Sequence, residues 1–180
     1  VLAGPFYISW DDYLNNSFPV YDQLQKSIWR KAELGFIEKE SSELLQKQLQ
    51  DNGFKIEAGV AGMPTAFVAS YGSGSPVIGI LAEYDALPGL SQDTVAYKKP
   101  LVEGGNGHGC GHNVFGVGSV AGAIAVKQWL EQTKHSGTIK IFGSPAEEGG
   151  GGKVYLVREG NFKGVDVVLD WHPSSGNGVS

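Results

Sequence analysis

Seven of the side chains able to bind divalent cations or move protons fall in four short segments: Glu83 and Asp85, Cys110 and His112, Glu147 and Glu148, and His172. A thiolate, imidazoles and carboxylates delivered to one point form the ligand set of a divalent transition metal, most often zinc. In an extended loop, residues two apart point the same way, so Cys110 and His112 can reach one centre. A bound cation would hold the thiol as thiolate. The adjacent carboxylates of Glu147 and Glu148 cannot point in one direction, so one can bind metal while the other stays free as a general base. Asp170 and His172 share a strand face, which lets Asp170 orient the imidazole. His108, in the same loop as Cys110, is read as a supporting or structural group. Each signal alone has an ordinary explanation. Cys110 can be a small buried hydrophobe, Glu147-Glu148 a solvated acidic turn, and Glu83 and Asp85 mere strand terminators.

The elements that must position these residues give the combination its weight. Val77–Ala82 is a continuous apolar run, the pattern of a strand buried on both faces. Strands are also expected over residues 54–57, 65–71, 138–143 and 165–171, with a turn at 72–76. Helical spacing of apolar residues marks 21–34, with Tyr21, Leu24 and Ile28, and 40–52, with Leu45 and Leu49 and a stop at Gly53. The longest helix is expected over 113–132, with Asn113 as N-cap, Val117, Val120, Ala121, Ile124 and Ala125 buried, and Lys127, Gln128 and Glu131 facing water. A short helix follows over 153–158. The first ten residues read as an irregular tail. Residues 88–111 lack periodicity and are too long for an idle connection, so they read as a functional loop. Helix and strand alternate in the second half, which predicts an α/β fold with a mixed, mostly parallel sheet flanked by helices. In such a sheet ligands bind beyond the carboxyl ends of the strands. The motifs after residues 82, 143 and 171, and the Cys-x-His just before a helix, would all lie at that edge.

Composition narrows the classes of function. Of 180 residues, 41% are hydrophobic and 11% aromatic, as in an ordinary globular domain. The net charge of −5, with no long basic run, argues against nucleic acid as a partner. No apolar stretch approaches the roughly 20 residues that span a bilayer. No signal peptide is visible in a chain that begins with Val1, and a cytoplasmic location is expected. The single cysteine excludes an internal disulfide. Glycine, with 27 residues, clusters at 104–111 and 149–152 beside the polar motifs, where it lets backbone approach a ligand. Gly116-Val117-Gly118-Ser119-Val120-Ala121 matches a dinucleotide-binding fingerprint, but no apolar strand precedes it, so these glycines are read as serving close helix packing. A non-catalytic, metal-free binding module is the other alternative.

Residues 83–88, 107–113, 145–150 and 171–173, in the order Glu-Tyr-Asp-Ala-Leu-Pro, Gly-His-Gly-Cys-Gly-His-Asn, Pro-Ala-Glu-Glu-Gly-Gly and Trp-His-Pro, resemble the dinuclear-metal amidohydrolases of the aminoacylase/carboxypeptidase class. Within it the resemblance is to the Cys-containing branch, nearest the members acting on aminobenzoyl-glutamate. Ala32-Glu33-Leu34-Gly35-Phe36 with Glu38 looks like the N-terminal Pro-Glu-Leu motif of that family, with Ala for Pro. Asn113 stands where many relatives have Asp. The resemblance implies that Cys110 bridges two zinc or manganese ions about 3.5–4 Å apart. His112, Glu148 and His172 would be ligands, and Asp85 a supporting group for catalysis. Glu147 would be the general base acting on a metal-bridged water and then protonating the leaving amine. The implied reaction is hydrolysis of an N-acyl or p-aminobenzoyl amino acid, with p-aminobenzoyl-glutamate as one candidate. The family continues into a lid and dimerisation domain and a returning segment with a last histidine ligand. The chain is therefore expected to be the N-terminal part of a catalytic domain, in a homodimer or hetero-oligomer.

Overall fold

The computed structural model describes residues 9–176 and 178. Helix α1 (Trp10–Lys31) opens with the Ser9 hydroxyl accepting from Asp12 N and closes on Ala32 in the left-handed region. It starts well before residue 21, with Pro19 inside it, and its first half is mostly exposed. Its apolar residues Leu14, Phe18 and Val20 are exposed, so that half marks no buried face. It ends short of Leu34 because Glu33 serves other elements. The Glu33 carbonyl accepts from Ala86 N at 2.8 Å, and its carboxylate accepts from Glu40 N and Ser41 N. Those two amides are orphan donors of α2 (Lys39–Asp51), so Glu33 caps that helix from outside.

Five strands follow: β1 (Lys55–Ala58), β2 (Phe67–Ser73), β3 (Val77–Ala82), β4 (Gly137–Gly143) and β5 (Val167–Leu169), in sheet order β1-β2-β4-β3-β5. β3 pairs in parallel with β4 and β5, while β2 is antiparallel to both β1 and β4. Four of the five strands thus run one way, a mixed sheet with a parallel centre as expected. Helices α3 (His112–Thr133) and α4 (Gly152–Arg158) complete the chain. The period of two divides the core. Phe67, Ala69, Ile139 and Ile141 face Ile28, Leu45, Leu49 and Ile124 of the first three helices, whereas Val68, Leu81 and Phe142 face Leu156 and Phe162. The anticipated stripe Val117, Val120, Ala121, Ile124 and Ala125 is buried.

Two expectations are corrected here. Asn113 does not cap α3. Gly111, at φ 83°, holds that place, while Asn113 lies inside the first turn and donates from Nδ2 to Gln25 Oε1 at 2.8 Å. The last strand covers only Val167–Leu169, not 165–171. Upstream, Asp166 turns back on Val77, its amide donating to the Val77 carbonyl and its carboxylate accepting from Val77 N. Downstream, the Asp170 carboxylate accepts from Trp171 N at 2.9 Å, a local turn that competes with the ladder. All three β5 residues are exposed, and among the described residues β5 pairs only with β3. Among the described residues no helix is long and apolar enough to cross a membrane.

Candidate metal centre

The parallel strands β3, β4 and β5 end at one edge, since Ala82 stands beside Gly143 and Ile80 beside Leu169. The chain leaves β3 into Glu83-Tyr84-Asp85, leaves β4 into the 144–151 turn, and leaves β5 towards His172. Helix α3 starts against this edge because Gly116 has no side chain: a Cβ there would lie 2.5 Å from the Glu83 carbonyl oxygen. Gly118 likewise admits the Trp171 ring, which a Cβ would meet at 2.5 Å. Both glycines lie within α3 and serve close packing. A dinucleotide fingerprint would need them in the turn after a strand.

His112 is fully buried at the centre. Its Nδ1 donates to Asp85 Oδ1 at 2.9 Å, and its Nε2 stands 3.0 Å from Glu83 Oε2 and 3.7 Å from Glu147 Oε2. Glu148 Oε1 lies 3.9 Å from Nδ1, so the adjacent glutamates approach opposite edges of one imidazole. Cys110 Sγ is 3.2 Å from His172 Nε2. The His172 Nδ1 donates to the Pro173 carbonyl at 2.9 Å, and its ring meets Phe115 and His112 edge-on. Ligand atoms of Cys110, His112 and His172 all lie within 4.8 Å of one another, as do those of Glu83, His112 and Glu147. The site residues expected from the sequence are therefore brought together. Asp170 is the exception: its carboxylate bonds to Trp171 N rather than to the His172 ring. His108 proves structural, donating from Nε2 to the Ile28 carbonyl at 3.2 Å. Burial holds its pKa down to about 4.

The charge balance of the cluster is strongly negative. Burial works against a charged His112, yet the bonds and charges of Asp85 and Glu83 prevail and raise its pKa to about 10. Burial, the Glu148 contact and the charges of Glu148, Glu147 and Glu83 push the Cys110 thiol up to about 11. Burial also opposes ionisation of Glu83, but His112 and the Lys153 ammonium bound to its other oxygen hold its pKa below the ordinary value. Lys153 had no signal in the sequence beyond its place at a helix start, where nothing local marks a cation that reaches a buried carboxylate. The arrangement fits divalent cations on three counts. Both imidazoles fix Nδ1 as a donor and leave Nε2 turned to the cluster, as metal-binding histidines do. Glu148 Oε1 is buried without a hydrogen-bond partner, and the buried His112 Nε2 faces the Glu83 and Glu147 carboxylates. Sulfur, imidazole and carboxylate together suit zinc or manganese.

Residues 79–179 match the family described as Peptidase family M20/M25/M40. The chain is 46% identical over 170 residues to one subunit of the p-aminobenzoyl-glutamate hydrolase of Escherichia coli (strain K12), covering 94% of this chain and 35% of that one. It thus spans about a third of the length of the curated relatives it matches. A dinuclear metal binding peptidase of the M20 family from Bacillus subtilis superposes with a TM-score of 0.72 at 24% identity, over 89% of this chain and 44% of its own. The aminobenzoyl-glutamate utilization protein from Klebsiella pneumoniae does so with 0.68 at 20% identity, over 91% and 46%. These likenesses show the fold.

Proposed function

The chain belongs to peptidase family M20/M25/M40, and from that premise we propose that it serves metal-dependent hydrolysis of an amide bond in an N-acyl or p-aminobenzoyl amino acid. The observation that carries this reading is one cluster. Cys110, His112 and His172 offer thiol and imidazole within 4.8 Å of one another, Glu148 Oε1 lies 3.9 Å from His112 Nδ1, and the Glu147 carboxylate stands 3.7 Å from Nε2, 41% exposed. In this reading Cys110, His112, Glu148 and His172 would hold two zinc or manganese ions. When bound, the ions supply Lewis acidity towards the scissile carbonyl and the attacking water.

The chain's own residues supply the rest. Asp85 fixes the His112 ring through Nδ1 and the Glu148 backbone through its amide. Glu147 takes the proton of the attacking water on its carboxylate and passes it to the leaving amine nitrogen. Support for p-aminobenzoyl-glutamate as substrate is the name of the 46% identical relative, and that relative's designation as one subunit supports an oligomer.

The test is Glu147→Gln in the full-length gene product, assayed on p-aminobenzoyl-glutamate with bound metal measured by elemental analysis. We expect kcat to fall by about 100-fold or more with metal content unchanged. Turnover within about threefold of the parent would remove Glu147 from this role.

A further inference from the structure

The backbone amides on either side of Glu147 are each held by a buried carboxylate from a distant part of the chain. Glu148 N donates to Asp85 Oδ2 at 2.9 Å, and Ala146 N donates to Glu38 Oε1 at 2.8 Å. Asp85 also binds His112, so its clamp belongs to the metal cluster. Glu38 does not. Its other oxygen accepts from Thr65 Oγ1 at 3.0 Å, and its side chain is 0% exposed. Among the described residues no cation pairs with it. Taking an unpaired carboxylate out of water costs several kcal/mol, and a well-packed hydrophobe would sit there more cheaply. Something must offset that cost.

The Ala146 bond spans 108 positions and ends on the residue before Glu147. Ala146 has φ 57°, left-handed backbone that costs a non-glycine residue roughly 1–2 kcal/mol. The turn is crowded as well. Gly35 lies so close that a Cβ there would be 2.8 Å from Ala146 Cβ, and the Ala146 carbonyl takes both the Gly150 and Gly151 amides. Thr65, which anchors Glu38, is fixed in turn by Ser42 Oγ and Tyr84 OH donating to its carbonyl. The start of α2, the approach to β2 and the end of β3 thus converge on one carboxylate that grips one amide.

We infer that Glu38 is a positioning residue: it locks the left-handed turn at Ala146 so that, with Asp85 gripping the other side, the Glu147 carboxylate is aimed at the edge of His112. This rests on the reading of Glu147 as the base. It assigns a reaction-related role to a buried residue that touches neither substrate nor metal ligand side chains.

The experiment measures kcat, KM and bound metal for Glu38→Leu, Glu38→Gln and Glu38→Leu combined with Glu147→Gln, in the full-length gene product. Leu lacks the acceptor and Gln keeps it. Misplacing a reacting group by about 1 Å costs on the order of 100-fold, so Glu38→Leu should lower kcat by roughly 10- to 100-fold with KM and metal stoichiometry unchanged. Glu38→Gln should recover kcat to within about threefold, and Glu38→Leu should add nothing once Glu147 is Gln. If Glu147→Gln alone keeps kcat, the base assignment fails first. If Glu147→Gln is inactive but Glu38→Leu turns over normally, loses metal in step with kcat, or lowers the Glu147→Gln background further, the positioning role is overturned. Should Glu38→Leu not fold, Thr65→Val removes only the hydroxyl that steadies Glu38. It should lower kcat by about three- to tenfold at constant KM, and an unchanged kcat then counts against the inference.

Discussion

Asp85 uses both carboxylate oxygens to hold other groups, one on His112 Nδ1 and one on the Glu148 amide. Substituting Asp85→Asn keeps the shape but removes the charge and one acceptor. Partners that orient metal-binding histidines typically contribute 10- to 100-fold to affinity, so chelator competition should show a loss of about that size. An unchanged affinity would separate Asp85 from the metal centre. Glu38 gives a prediction in pH. Burial raises its pKa in the folded chain above the unfolded value, with the charge of Asp85 adding to this. In the window between those two pKa values the folded state holds more protons than the unfolded one. Its contribution to stability is therefore full below the unfolded pKa and is lost as pH rises through the folded pKa. Glu38→Gln abolishes this titration. Urea midpoints from about pH 4 to about pH 8 should show the variant gaining on the parent as pH rises, and parallel curves would contradict the shift.

Among the elements, α3 is held against the sheet edge at Gly116. Gly116→Ala places a methyl 2.5 Å from the Glu83 backbone oxygen and should cost roughly 1–3 kcal/mol in urea unfolding. Gly122→Ala meets nothing within 4 Å in the same helix and should instead stabilise by about 0.5–1 kcal/mol. Equal effects would mean that helix propensity, rather than the close approach, decides both. The course of β3 and the buried stripe of α3 are legible in the sequence because Val77–Ala82 is an unbroken apolar run and Val117–Ala125 repeats the helical period. Competition is not legible. Asp166 and Asp170 look like polar alternation in a strand, yet each bonds backbone and shortens β5 at one end. Asn113 looks like a cap, but Gly111 reaches the left-handed region at lower cost, which frees the amide to reach α1. In the cluster, residue types and their place after strands are visible in advance. The Lys153–Glu83 pair and the grip of Glu38 on Ala146 are not, because they join positions 70 and 108 apart.

For the molecule as a whole, the donors come from four separate places: the end of β3, the start of α3, the turn after β4 and the segment after β5. A ligand that binds only the folded arrangement stabilises it by mass action, by about 2.7 kcal/mol at 100 times its dissociation constant. Stripping the purified protein with a chelator should therefore lower Tm, and zinc or manganese should restore it. A Tm indifferent to both treatments would mean that the cluster does not hold cations in the native state.

The short last strand carries a practical corollary. Val167, Val168 and Leu169 present greasy side chains above and below while one flank of their amides lacks a neighbouring strand among the described residues. Such a rim recruits whatever extended peptide it meets. Concentrated samples of this polypeptide alone should self-associate along that margin, and Val168→Lys should keep them dispersed.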